Sequence, residues 1–179
     1  MGLEIERKFK VKELPKNIDS FPYRLIEQGY LNVSPAIRVR RDNDEYYMTY
    51  KSAGVSIAKT EYNMELDKDS YYKLLNKIDG NIIRKKRVLI PLNDDAYEKE
   101  YLESHEKLKN LIDEGLMKIE LDIFEGVYEG IIIAEVEFDS LEDADNYKMA
   151  DWFSTDVSDD YRYSNARMSM AQNLDDYDL

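Results

Sequence analysis

The chain has 179 residues with 38 acidic and 25 basic side chains, a formal net charge of −13, one histidine and no cysteine. That length suits one domain with a substantial core, and the missing cysteine excludes disulfides, thiol nucleophiles, thiolate zinc sites and iron–sulfur clusters. The negative total argues against a nucleic-acid or anionic-membrane surface, and no apolar run approaches the roughly 20 residues of a membrane span, so the expected location is cytoplasmic.

The charge is divided along the chain. Positions 1–90 hold 18 basic and 13 acidic residues, whereas positions 91–179 hold 7 and 25. Apolar residues recur mostly with period two, predicting strands at 3–11, 25–32, 36–41, 46–51, 56–66, 82–92, 117–124 and 131–138. Between them, Tyr71, Leu74, Leu75 and Ile78 form the stripe of a helix over 69–79 that stops at Gly80. Helical spacing returns over 94–114 and stops at Gly115. Ser140 followed by Asp143 resembles a capping box opening a third helix toward Trp152. A short helix is expected at 165–173, and 175–179 reads as a frayed acidic tail. The fold class is strand-dominated α+β over 1–174, with eight antiparallel strands able to close into a barrel and helices packed outside.

Residues two apart on a strand share a face. Glu4, Glu6, Lys8 and Lys10 oppose Ile5, Phe9 and Val11; Arg38 and Arg40 oppose Ile37 and Val39; Lys59, Glu61, Asn63 and Glu65 oppose Tyr62, Met64 and Leu66. Later, Glu120 and Asp122 oppose Ile119, Leu121 and Ile123, and Glu135 and Glu137 oppose Ala134, Val136 and Phe138. For any single strand this is an ordinary solvated face. Taken together the like-charged pairs are costly unless opposite charge lies between them. Carboxylates without histidine or cysteine suit Mg²⁺ or Mn²⁺. Lys8, Arg38, Arg40, Lys51, Lys85 and Arg87 suit phosphates. If the sheet closes, the charged faces line a wet lumen. Arg84 and Lys86 are as basic as Lys85 and Arg87, so alternation alone leaves the inward parity of 82–92 open.

The motifs resemble those of the CYTH superfamily of triphosphate tunnel metalloenzymes. Glu4-Ile5-Glu6-Arg7-Lys8 is similar to its ExExK signature, followed in order by Ile26 to Leu31, Arg38-Val39-Arg40, Thr60-Glu61-Tyr62, Lys85-Lys86-Arg87, Glu120 to Gly126, Ala134 to Phe138 and Asp160 to Asn165. The resemblance implies an eight-stranded tunnel that hydrolyses a triphosphate with Mg²⁺ or Mn²⁺, and it selects Lys85 and Arg87 as inward-facing. It implies metal ligation by Glu4, Glu6, Asp122, Glu135 and Glu137, a catalytic base among Glu61, Glu65 and Glu120, and a phosphate clamp of Lys8, Arg38, Arg40, Lys51, Lys85 and Arg87. Asn63, Lys59 and Val88 depart from the family's glutamate, arginine and aromatic residue, and 93–116 reads as a helical insertion over one mouth.

Inorganic tripolyphosphate is the expected substrate, since no base-recognition motif accompanies the clamp. Adenylate cyclase or thiamine or nucleoside triphosphatase activity is the alternative enzyme, and a non-catalytic polyphosphate-binding module the alternative of another class. The only partner expected is a triphosphate-containing small molecule, with neither nucleic acid nor membrane; a homodimer is compatible with the sequence but not derivable from it. Tyr46, Tyr47, Tyr50 and Trp152 read as packing residues, and His105 as solvated.

Overall fold

A computed structural model describes residues 2–52, 58–175 and 177. Among the described residues nine strands run as β1 (Gly2–Val11), β2 (Tyr23–Val33), β3 (Ala36–Asp42), β4 (Glu45–Lys51), β5 (Ala58–Glu65), β6 (Asp79–Pro91), β7 (Lys118–Glu125), β8 (Ile132–Phe138) and β9 (Phe153–Asp156). Five short helices accompany them: α1 (Lys68–Leu75), α2 (Lys99–Ser104), α3 (Glu106–Asp113), α4 (Leu141–Asn146) and α5 (Asn165–Met168). All pairings are antiparallel. The sheet order is β5-β4-β3-β2-β6-β7-β8-β1-β9, with an additional pairing of β5 to β1.

β1 is the hub of that order. One of its edges carries β8 over Ile5–Lys10. Ile5 and Phe9, each opposed by a β8 residue, are also opposed by Ala58 of β5 and Asp156 of β9 respectively, so β5 and β9 share the other edge. Lys8 continues this edge, since its N–H donates to Ser158 Oγ (3.0 Å) and its carbonyl accepts from Val157 N–H (2.8 Å).

The apolar face of the sheet lies outward, under the helices. Ile5, Phe9, Val88, Leu121, Val136 and Phe138 join Tyr97, Leu108, Ala144 and Tyr147 in the largest buried cluster. The opposite face buries the charged groups Lys8, Arg38, Arg40, Lys85, Arg87, Asp122 and Glu135, and beside them a second apolar cluster that includes Tyr30, Ile83, Phe124 and Ile133. The strand β6 therefore turns Lys85 and Arg87 inward, while Arg84 is exposed and donates to Glu27 (2.8 Å).

Several local expectations change. The expected helix over 94–114 is two helices, because His105 leaves the helical region (φ −125°, ψ 66°), stacks on Tyr101 (3.9 Å between centroids) and bonds the Tyr101 carbonyl through Nδ1 (2.8 Å). Ser140 caps α4 by accepting from Asp143 N–H (3.0 Å), but that helix ends at Asn146 and the chain beyond forms β9 rather than helix. Gly80 lies within β6, not at the end of α1: its φ is +74°, and a Cβ there would stand 2.3 Å from the Ser169 carbonyl, so only glycine fits. Tyr177 is buried, donates to the Arg162 carbonyl (3.1 Å) and contacts Tyr163, anchoring a segment expected to fray; 176, 178 and 179 lie outside the described residues. Among the described residues no helix is long and apolar enough to cross a membrane.

Candidate functional site

The charged face surrounds a cavity of about 260 Å³. Its wall carries five cations, Lys8, Arg38, Arg40, Lys51 and Arg87, and the carboxylates Glu6, Glu61, Glu135 and Glu137, with Ser158 to Asn165 at the rim. That volume is below the ~300–1,000 Å³ of ordinary small-molecule sites, and lacks their mostly apolar lining. It suits a compact polyanion.

Strand register explains how the like-charged residues coexist. Glu120 on β7 lies directly opposite Glu135 on β8, and Arg87 on β6 directly opposite Asp122. The Arg87 guanidinium reaches all three carboxylates: Nε donates to Asp122 Oδ1 (2.7 Å), Nη2 to Asp122 Oδ2 (2.7 Å) and to Glu135 Oε2 (2.5 Å), and Nη1 to Glu120. Lys85 donates to Asp122 and Lys8 to Glu135, and Lys8 also lies 3.2 Å from Glu6. Burial opposes ionisation of Glu135, yet Lys8, Lys85 and Arg87 outweigh it and hold its carboxyl well below the usual range. Lys8 is pushed up by Glu135 and Glu6 against its own burial. Lys85 goes the other way: burial and then the Arg87 charge bring it down to about 8.

The wall formed by β3, β4 and β5 is built differently. Lys51 is directly opposite Glu61, with Nζ to Oε2 at 3.5 Å, and Arg38 approaches the same oxygen at 3.9 Å. Among the described residues nothing donates a hydrogen bond to the buried Glu61 Oε2, whereas Oε1 accepts from Asn63 Nδ2 (2.9 Å). Burial works against its charge, but Arg38, Lys51 and the Asn63 bond lower its pKa. Arg40 donates from Nε to Gln28 Oε1 (2.9 Å) and from Nη1 to Tyr47 (3.3 Å).

The sequence-derived residues thus fall into separate places. Lys8, Arg38, Arg40, Lys51, Arg87, Glu6, Glu61, Glu135 and Glu137 line one cavity. Lys85 and Asp122 are sealed behind it; Asp122 is 0% exposed, with both oxygens accepting from Lys85 and Arg87. Glu120 has its oxygens on Arg24 (3.3 Å) and Arg87 and faces a second cleft with Glu61, Asn63 and Glu137. Glu65 is exposed at the end of β5 and does not line the cavity, so a catalytic role there is not supported by position. The ligand role expected of Glu4 falls on a side chain outside the described ones. Among the described residues no group of three or more acidic or histidine side chains is placed to hold a metal alone.

Other functional neighbours escaped the sequence. Gln28 is fully buried beneath Arg40, Thr49 donates from Oγ1 to Asn63 Oδ1 (2.6 Å), and Arg24 bridges Asp42 (3.1 Å) and Glu120. Arg7, on the apolar side of β1, fastens β9 and α4 through Asp156 (2.9 Å) and the carbonyls of Ala144 (2.8 Å) and Tyr147 (3.1 Å). Parity places Gln28 with Ile26 and Tyr30, but nothing in a lone glutamine signals its partner.

With this geometry in place, the comparisons are specific. The CYTH domain model matches residues 2–155. The chain is 30% identical over 172 residues to the inorganic triphosphatase of Nitrosomonas europaea, covering 94% of this chain and 97% of that protein. It is 29% identical over 176 residues to the inorganic triphosphatase of Acetivibrio thermocellus, covering 94% of each. A crystal structure of an inorganic triphosphatase, 28% identical, matches with a TM-score of 0.65 over 97% of this chain and 98% of that one.

Proposed function

Because the chain belongs to the CYTH domain family, we propose that it hydrolyses inorganic tripolyphosphate to pyrophosphate and phosphate with Mg²⁺ or Mn²⁺, inside a tunnel closed by the pairing of β5 to β1. The observation that carries this reading is the small cavity whose wall gathers five cations among ionised carboxylates. Guanidinium and ammonium groups on several strands match a short chain of phosphates.

The donor set fits a hard divalent cation. Glu6 and Glu137 oppose each other directly across β1 and β8, supplying oxygen ligands alone. Magnesium is ordinarily held by one or two carboxylates together with substrate phosphates, which suits a wall with no three-carboxylate cage among the described residues. Glu6 and Glu137 would hold it, with Glu135 adjacent. The ion supplies neutralisation of the phosphate oxygens as a Lewis acid.

The chain's own residues do the rest. Arg38, Arg40 and Lys51 hold and orient the phosphates and stabilise the charge of the leaving pyrophosphate, while Lys8 and Arg87, engaged by carboxylates, add positive potential to the same wall. Glu61 takes the proton of the attacking water: among the three carboxylates considered for that role, it alone lines the cavity with an oxygen that accepts no hydrogen bond from the described residues. The water oxygen bonds to the terminal phosphorus, the bridging phosphorus–oxygen bond breaks, and its electron pair leaves with pyrophosphate. Phosphate release from tripolyphosphate, ATP and thiamine triphosphate, each with Mg²⁺, Mn²⁺ or EDTA, tests the reading. Tripolyphosphate should turn over fastest and EDTA should abolish release; faster ATP or thiamine triphosphate turnover would reassign the substrate, and metal-dependent binding with no turnover would make the chain a binding module.

A further inference from the structure

We propose that Asn63 and Thr49 form a positioning relay that fixes Glu61, a role that rests on the hydrolytic reading above. Thr49 and Asn63 are directly opposite on β4 and β5, as are Lys51 and Glu61 one step along the same face. Thr49 is 1% exposed. Its Oγ1 donates to Asn63 Oδ1 (2.6 Å), and Asn63 Nδ2 donates to Glu61 Oε1 (2.9 Å).

The polarity of this chain of bonds admits one arrangement. An ionised carboxylate only accepts, so Asn63 must turn its amide nitrogen to Glu61 and its carbonyl oxygen to Thr49, which must then donate. The carboxylate therefore sets which end of the asparagine amide it meets, and the threonine hydroxyl, able to donate or accept, holds the amide in that orientation by donating to its oxygen. With Oε1 occupied, the carboxylate is held in one orientation, with the buried Oε2 beside Lys51 (3.5 Å) and Arg38 (3.9 Å) in the wall of the cavity. A neutral amide does this without adding charge. An acidic residue at position 63 would accept from Thr49 equally well, but would set a second carboxylate against the first.

The relay touches Glu61, not the phosphate-binding cations, so its loss should appear in kcat rather than in KM. Asn63→Ala and Asn63→Asp should each lower kcat on tripolyphosphate by about 10–100-fold, the range for residues supporting a reactive group from behind. Asn63→Asp should lose at least as much as Asn63→Ala, and KM should hold within about twofold in both. Thr49→Val should reproduce the loss, Thr49→Ser should recover most of it by keeping the hydroxyl, and Thr49→Val with Asn63→Ala should be no worse than Asn63→Ala alone. Thermal unfolding reads the fold in parallel; if Asn63→Ala does not fold, the isosteric Asn63→Asp carries the test. Wild-type kcat in Asn63→Asp, or losses at the two positions that multiply, would overturn the relay while leaving the hydrolytic reading intact. A wild-type protein without turnover would overturn that reading and the relay with it.

Discussion

The two walls of the cavity solve the same charge problem in opposite ways. Along β6, β7 and β8, every oxygen of Asp122 and Glu135 is taken by a buried cation, with Arg87 joining three carboxylates at once. Along β3, β4 and β5, the ion pairs of Glu61 with Lys51 and Arg38 measure 3.5 and 3.9 Å, and among the described residues nothing donates a hydrogen bond to one Glu61 oxygen. Saturation makes a scaffold, since groups fully engaged with one another cannot rearrange for a ligand at low cost. Glu61, with one oxygen that accepts no hydrogen bond from the described residues, is the group on this wall that can meet water without first breaking a bond.

That contrast breaks most visibly at Arg87. Arg87→Met should cost about 3–5 kcal/mol of stability by leaving buried carboxylates uncompensated, a large fraction of a domain's total, measured as a fall in the urea midpoint. Arg40→Ala, on the other wall, should reduce kcat/KM by about 100-fold or more while moving the unfolding midpoint far less, since it removes a charge aimed at the developing phosphate charge. If the two substitutions exchanged these signatures, scaffold and working wall would have to be reassigned.

The smallest effect concerns pH. Lys85 is protonated below about 8 in the folded protein and sits behind the phosphate cavity. Raising the pH through that value removes a positive charge, so kcat/KM, which reports the free protein, should decline on the alkaline side with a midpoint near pH 8. The stability sign is opposite: a lysine whose folded pKa is depressed favours the folded state increasingly as pH rises from about 8 toward its ordinary 10.5. Activity and stability should therefore diverge over that window, and Lys85→Met should flatten both trends.

Much of this was legible in alternation. Period two placed Glu6, Lys8, Arg38, Arg40 and Glu135 on faces that the fold brings together, because a side chain's face depends only on its own strand. Which carboxylate meets which cation depends on register between strands, and there the sequence was silent. Asp122 and Glu120 share a face, yet only the former is locked away, since Arg87 lies opposite it and Lys85 reaches it too. Glu65 shares parity with Glu61 but sits beyond the wall where the strand ends. β9 was missed because four residues carry too short an alternation to outweigh the capping signal before them.

The position of β1 has a consequence for how the protein is made. β1 leaves the ribosome before its partners β5, β8 and β9, whose residues lie between positions 58 and 156. Its partners on one edge do not exist until most of the chain has been synthesised, so the nascent strand must wait with its backbone donors and acceptors unmatched. Such long-range pairing is slow, because loop-closure entropy is lost before the contacts that reward it form. Docking of β1 is therefore a late event in folding, set by the synthesis of β8 and β9.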